Sequence, residues 1–235
     1  MVKCQGNTEV KMKQEFYLEI EKVLTESRLS VYRNIGENIE EAVSRYLYNV
    51  ELCRALYTPL HFFEICLRNK IDEALTQHCQ KKDWYTIIPL YDNAIDKLED
   101  VKKRISDGGK TVTHERIISE LSLGFWTAFF SKRYSSCAFQ SKIIKHSFKN
   151  CPKAQKNSTN IQNLMEQIRN LRNRVYHYER ICHWNDLKDK HNIILECIKW
   201  IQPSVFDLVF KMDTFDQVYK HGEMQYLSII KTNWN

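Results

Sequence analysis

The residues best equipped for chemistry stand together in the run Arg172-Asn173-Arg174-Val175-Tyr176-His177. Imidazole titrates near neutrality, and guanidinium is a permanent cation with a planar fork of donors. Together they suit cleavage of an RNA phosphodiester by its own 2′-hydroxyl. That reaction needs a base near neutral pKa and a cation for the charge that gathers on the phosphorane, and it needs no metal. Asn173 and His177 are four residues apart, on neighbouring turns of a helix, so the amide can contact the imidazole and bias its tautomer. Plain solvation also leaves a histidine and an arginine on a helix surface, so this pair by itself does not separate a site from a wet face.

The element that must hold these residues is a helix. Ile161, Leu164, Ile168, Leu171, Val175 and Tyr178 recur by threes and fours, which turns one face to a core. At about 100° per residue, Arg169, Arg172, Asn173 and Tyr176 fall away from that face, and His177 lies further round. The same spacing predicts helices elsewhere: Phe16, Ile20, Val23 and Leu24; Ile39, Ala42, Val43, Tyr46 and Leu47; Leu60, Phe63, Leu67, Ile71 and Leu75. Pro59 suits the first turn of the third of these. A fourth (Leu90, Ala94, Leu98, Val101, Ile105) stops at Asp107-Gly108-Gly109, and Thr113 is placed to cap the next. Further helices are expected over Ser135–Lys149, Asn192–Trp200 and Ser204–Tyr219, with a basic loop from Asn150 to Asn160.

Composition agrees with a helical globule. Of 235 residues 43% are hydrophobic and 27% charged, and only 6 are Gly and 4 Pro, too few for the turns of a many-stranded sheet protein. Eight cysteines are scattered through helical patterns without a CxxC pair, which reads as free buried thiols rather than a zinc site or a disulfide framework. No histidine has metal-ligand spacing, and no metal or cofactor is expected. The first residues lack the apolar run of a signal peptide, and no apolar run reaches the roughly 20 residues of a membrane span. A cytoplasmic protein without a membrane partner is the expectation.

Charge is unevenly placed. From Leu121 to Met165 there is no acidic residue, whereas Lys132, Arg133, Lys142, Lys145, Lys149, Lys153 and Lys156 are basic. That stretch carries +7 of a net +6, leaving −1 for the remainder. A one-signed surface of this kind suits a polyanion, because each neutralised phosphate releases counterions. A solvated basic face is the plainer alternative.

Three blocks carry a resemblance. Arg172-Asn173-Arg174-Val175-Tyr176-His177 matches the R-N-x-x-x-H signature of HEPN-domain ribonucleases, in the extended form Leu-Arg-Asn-Arg-x-x-His of the abortive-infection (Abi-like) proteins. Tyr48-Asn49 through Tyr57, followed by Leu60 to Asn69, resembles the family's first block, which ends in E-x-x-L-R-N at Glu64, Leu67, Arg68 and Asn69. Ile118 to Trp126 resembles its E-L-x-x-G-F-W segment. The blocks occur in the family's order over about residues 25 to 185. Where the family often continues His-His-Glu-Pro-Ile, this chain has His177-Tyr178-Glu179-Arg180-Ile181, so a role for a second histidine is not carried over. Control by tyrosine adenylylation needs H-x-Tyr, and that position is Glu179.

The resemblance implies an all-α, HEPN-type helical bundle, a single domain over 1–235 with peripheral helices at 1–24 and 195–235. It implies a homodimer whose paired R-N-x-x-x-H helices form a metal-independent endoribonuclease, acting in phage defence or as a toxin, with an antitoxin or noncoding RNA as regulator. Arg172, Asn173 and His177 would be catalytic. Lys142, Lys145, Lys149, Lys153, Lys156, Arg169 and Tyr176 would contact RNA. Glu64, Arg68 and Asn69 either buttress the motif helix or contact RNA, or Glu64 and Arg68 form a local i, i+4 pair. The alternative from the charge pattern is a non-cutting RNA-binding module, in association with a structured RNA. A protein-interaction scaffold is a third reading.

Overall fold

The structure is a computed structural model and describes residues 15–233. Regular structure among them is helical, without a strand. Residues 15–24 form α1, followed by α2 (Glu26–Ser30), α3 (Ile39–Cys79), α4 (Asp92–Asp107), α5 (His114–Glu120) and α6 (Leu123–Ala128). Then come α7 (Ala138–Ser147), α8 (Ser158–Tyr176), α9 (Leu187–Ile201), α10 (Pro203–Met212), α11 (Phe215–His221) and α12 (Met224–Asn233). None of the described helices is long and apolar enough to cross a membrane.

Local chemistry explains many of the boundaries. Ala94, Leu98, Val101 and Ile105 all face inward on α4, and the helix stops where Gly109 takes φ 68° and the Lys110 amide donates back to the Ile105 carbonyl. Thr113 Oγ1 accepts from the Arg116 amide to cap α5. Three expectations are corrected. The second and third predicted helices are one, α3, and Pro59 lies inside it rather than in a first turn. A mid-helix proline costs roughly 3 kcal/mol, but Leu56, Leu60, Phe63 and Leu67 are each 0–1% exposed on either side of it. At about 1.5–3 kcal/mol per buried side chain, that stripe outweighs the missing N–H. The helix expected over 135–149 is shorter, so Lys149 lies just beyond α7. The one expected over 204–219 breaks at Asp213-Thr214, where Asp213 Oδ1 accepts from the Phe215 amide.

The residues gather into two units, one made of the chain up to Tyr57, Arg174–Lys188 and Asp213 onward, the other of Thr58–Asn173 and Asp189–Met212. In the first, Tyr17, Leu29, Val43 and Ile230 are buried, with Phe16, Ile20, Leu24 and Tyr46 packed around them. Val23, expected on that face, is 82% exposed, and Tyr17 takes the inward position instead. The buried Arg45 ties this unit together: its Nε reaches Glu223 Oε2 at 2.6 Å, its Nη1 reaches Glu37 Oε2 at 2.8 Å, and it also donates to the Tyr32 carbonyl.

The second unit is built on aromatic rings. Trp84, Phe125, Trp126 and Phe129 meet largely edge to face, and Trp84 Nε1 donates to Asp72 Oδ1 at 2.7 Å. The Ile118–Trp126 block therefore supplies core, with Trp126 wholly buried. The described cysteines are free, and burial raises several of their thiols, that of Cys53 to about 11 with Cys182 adding to the effect. Cys4 lies outside the described residues.

Candidate active site

The motif helix α8 begins where Asn157 Oδ1 accepts from the Asn160 amide at 2.9 Å. Ile161, Met165, Ile168, Leu171 and Val175 bury its inner face. The helix ends at Tyr176, one residue before the imidazole. Tyr178 adopts φ 58°, its amide donates to Val175 O at 3.4 Å, and the Glu179 amide donates to Arg174 O at 2.9 Å. Those two bonds are the Schellman closure, with a tyrosine where glycine is usual. His177 is thus the capping residue in an exposed turn, not a member of the helix face. The left-handed turn also carries Tyr178 outward, 73% exposed, where periodicity had placed it in the core.

In the first unit this turn is anchored from several sides. Asn49 is 2% exposed, and its Oδ1 accepts from the amides of Ile181 at 2.7 Å and Cys182 at 3.1 Å, while its Nδ2 donates to Glu179 O at 3.2 Å. Arg28 Nη2 donates to the Tyr178 carbonyl at 2.6 Å, and Arg180 donates to the Val31 carbonyl. Arg174 pairs with Glu179 at 2.8 Å and lies over the Trp184 ring. Tyr176, expected among the RNA contacts, stacks on Tyr57 at 5.6 Å with the planes 24° apart.

Arg172 and Asn173 belong to the second unit. Arg172 Nε contacts Glu64 Oε2 at 3.3 Å, with the two side chains 21% and 18% exposed. Arg68 turns elsewhere, donating to Ser119 O at 3.1 Å and to Asn69 Oδ1 at 3.3 Å. Glu64 and Arg68 are therefore not partners of one another, and each ties its block to another of the three. Asn173 is exposed and Arg169 half-buried. Lys142, Lys145, Lys149 and Lys153 are exposed, whereas Lys156 is half-buried and donates to the Lys149 carbonyl at 2.9 Å. No group of three or more His, Cys, Asp or Glu among the described residues is placed to hold a metal ion.

Asn49 is the residue whose importance sequence reasoning missed. Its signal was an amide on the same helical face as Ala42, Leu52 and Leu56, a polar group in a buried stripe that has to find partners. No family model matches the chain, and neither a curated protein nor a solved structure does.

Proposed function

We propose that this chain is a metal-independent endoribonuclease of the Abi-like HEPN type, acting in phage defence or as a toxin. The observation that carries the reading is the Arg172–Glu64 ion pair, which links the E-x-x-L-R-N block to the R-N-x-x-x-H block. A carboxylate on Nε holds a guanidinium in a fixed orientation. The second support is Asn49, from the first block, which fixes the backbone just past His177.

In this mechanism His177 takes the proton of the 2′-hydroxyl, the oxygen attacks phosphorus, and the 5′-oxygen leaves with a proton from a second acid. Arg172 stabilises the charge of the phosphorane. One R-N-x-x-x-H motif supplies one imidazole, so a homodimer provides the base and the acid from two copies, and a two-fold axis is the simplest way to pair them. The products are a 2′,3′-cyclic phosphate and a 5′-hydroxyl. An antitoxin or noncoding RNA restrains such an enzyme in the cell.

The test is incubation of the chain with total RNA in EDTA, followed by analysis of fragment ends. Cyclic-phosphate ends are expected, with His177→Ala and Arg172→Ala each slower by roughly 100-fold or more, the usual weight of a general acid or base and of a phosphorane cation. Cutting that requires added magnesium, or that survives both substitutions, overturns the mechanism. RNA retention without cutting favours the non-catalytic module, for which the acid-free basic stretch suffices.

A further inference from the structure

The second unit contains a groove of about 860 Å³ that the motif does not use. Its walls are the C-terminal part of α3, the helix α7 with the residues after it, and the α9–α10 junction. Lys70, Lys142, Lys145 and Lys149 line it with His78 and His146, and Glu73 is the one carboxylate among the lining residues. That carboxylate is already matched: Lys70 contacts it at 2.8 Å and His146 at 3.3 Å, and the Lys70 contact foremost holds its pKa below the usual range. Three lysines of the acid-free stretch, Lys142, Lys145 and Lys149, therefore face one concavity.

Pro203, at the groove's edge, starts an aromatic stripe. Phe206 and Phe210 follow it at i+3 and i+7, on one side of α10. Their rings stack at 5.6 Å and 28°, and Lys199 Nζ stands 5.3 Å from the Phe206 centroid. Phe210 is 62% exposed. An open ring beside a cationic groove is the combination that binds unpaired nucleic acid: phosphates track the charge and a base lies on the ring. A duplex keeps its bases stacked inside and offers the ring nothing. A second copy of this chain is disfavoured as the occupant, since it would bring a like-charged groove to a two-fold contact.

We propose that this groove and the Phe206–Phe210 stripe form a binding site for single-stranded RNA, with the phosphates on Lys142, Lys145 and Lys149 and a base on Phe210. The site makes the protein a reader of unpaired strands. On α3 its residues run from Lys70 to His78, about 9 to 21 Å beyond Glu64 along the helix at 1.5 Å per residue. None of the lining residues is among those assigned to cutting, and the proposal rests on the reading that RNA is what this chain acts on.

The test is fluorescence anisotropy of the full chain with a labelled 12-nucleotide 2′-O-methyl RNA across a salt series. Such a probe has no 2′-hydroxyl nucleophile, so the readout is binding alone. Lys145→Ala with Lys149→Ala is expected to lower the slope of log affinity against log salt by about 1.4, at roughly 0.7 per phosphate on a single strand. Phe210→Ala is expected to weaken binding by about fivefold to 150-fold at an unchanged salt slope, the span of one base–ring stack, and Phe210→Trp to restore it. Equal affinity for a 12-base-pair duplex overturns the proposal, as does an unaltered affinity in Phe210→Ala. Loss of self-association in that variant, with RNA affinity unchanged, assigns the stripe to a second copy instead. A chain that holds the probe but never cuts unmodified RNA defeats the nuclease reading and leaves this site standing. A chain that cuts, yet binds the probe equally well without the Phe210 ring, does the reverse.

Discussion

Replacing Asn49 by alanine removes one side chain and strands three backbone groups. The Ile181 amide has the shortest bond, 2.7 Å, in a residue that is 0% exposed, so water cannot readily replace the lost acceptor. That donor carries the full penalty of a buried unsatisfied group, about 1–3 kcal/mol. Cys182 is half-buried and its amide recovers part of its loss, while the carbonyl of the exposed Glu179 is rewetted at little cost. Since the three bonds share one amide they are not additive, and the net destabilisation is about 3 kcal/mol. For a chain of this size each kcal/mol moves the melting midpoint by roughly 2–4 °C, so Asn49→Ala should melt about 6–12 °C below the parent. Circular dichroism measures the midpoint, and hydrogen exchange measures the amides of Ile181 and Cys182 directly. Both amides should lose protection well below the global transition. A midpoint shift under about 2 °C with those amides still protected would refute the anchoring role. Under the ribonuclease reading, the variant also cuts more slowly at temperatures where it remains folded, because the backbone after His177 is no longer held.

Two further perturbations address the first unit. The hydrogen bonds from Arg45, followed by the Asn34 amide, hold the Glu37 carboxyl down to about 2 from an ordinary 4.5. Its folded pKa lies below its unfolded one, so its stabilising effect is complete above about pH 4.5 and disappears as the pH falls towards 2. Urea midpoints followed from pH 6 to pH 2 should fall through that window in the parent and fall less in Glu37→Gln, and identical acid profiles would refute the pairing. Tyr178 holds a left-handed backbone that glycine adopts without strain. Tyr178→Gly should raise stability by about 0.5–1 kcal/mol once the extra freedom of the unfolded glycine is counted, and a lowered melting midpoint would show that the exposed ring contributes more than the strain costs.

Much of the architecture was legible because helix formation is written in spacing. Ala94, Leu98, Val101 and Ile105, with a glycine pair after them, specify α4 almost to the residue, and Thr113 marks the start of α5. The same rule failed at Pro59, where local propensity argued for a break and the burial of Leu56, Leu60 and Phe63 overrode it. It failed again at His177. Periodicity cannot foresee that the chain closes α8 through the Arg174 and Val175 carbonyls, because that closure depends on Asn49 and Arg28, residues more than 120 positions away that grip the departing strand of backbone.

Sequence by itself determined the helical class, the cluster Arg172-Asn173-His177, and the acid-free basic stretch, since residue identity and spacing along one chain are enough for each. Only the tertiary structure decided that Glu64 pairs with Arg172 rather than with Arg68, that Tyr176 lies against Tyr57, and that Lys142, Lys145 and Lys149 line a groove reached by Pro203, the first residue of the helix that carries the stacked Phe206 and Phe210. Those are partnerships between distant segments. A side chain's local spacing says which way it points, but its partner is set by whichever element packing brings alongside.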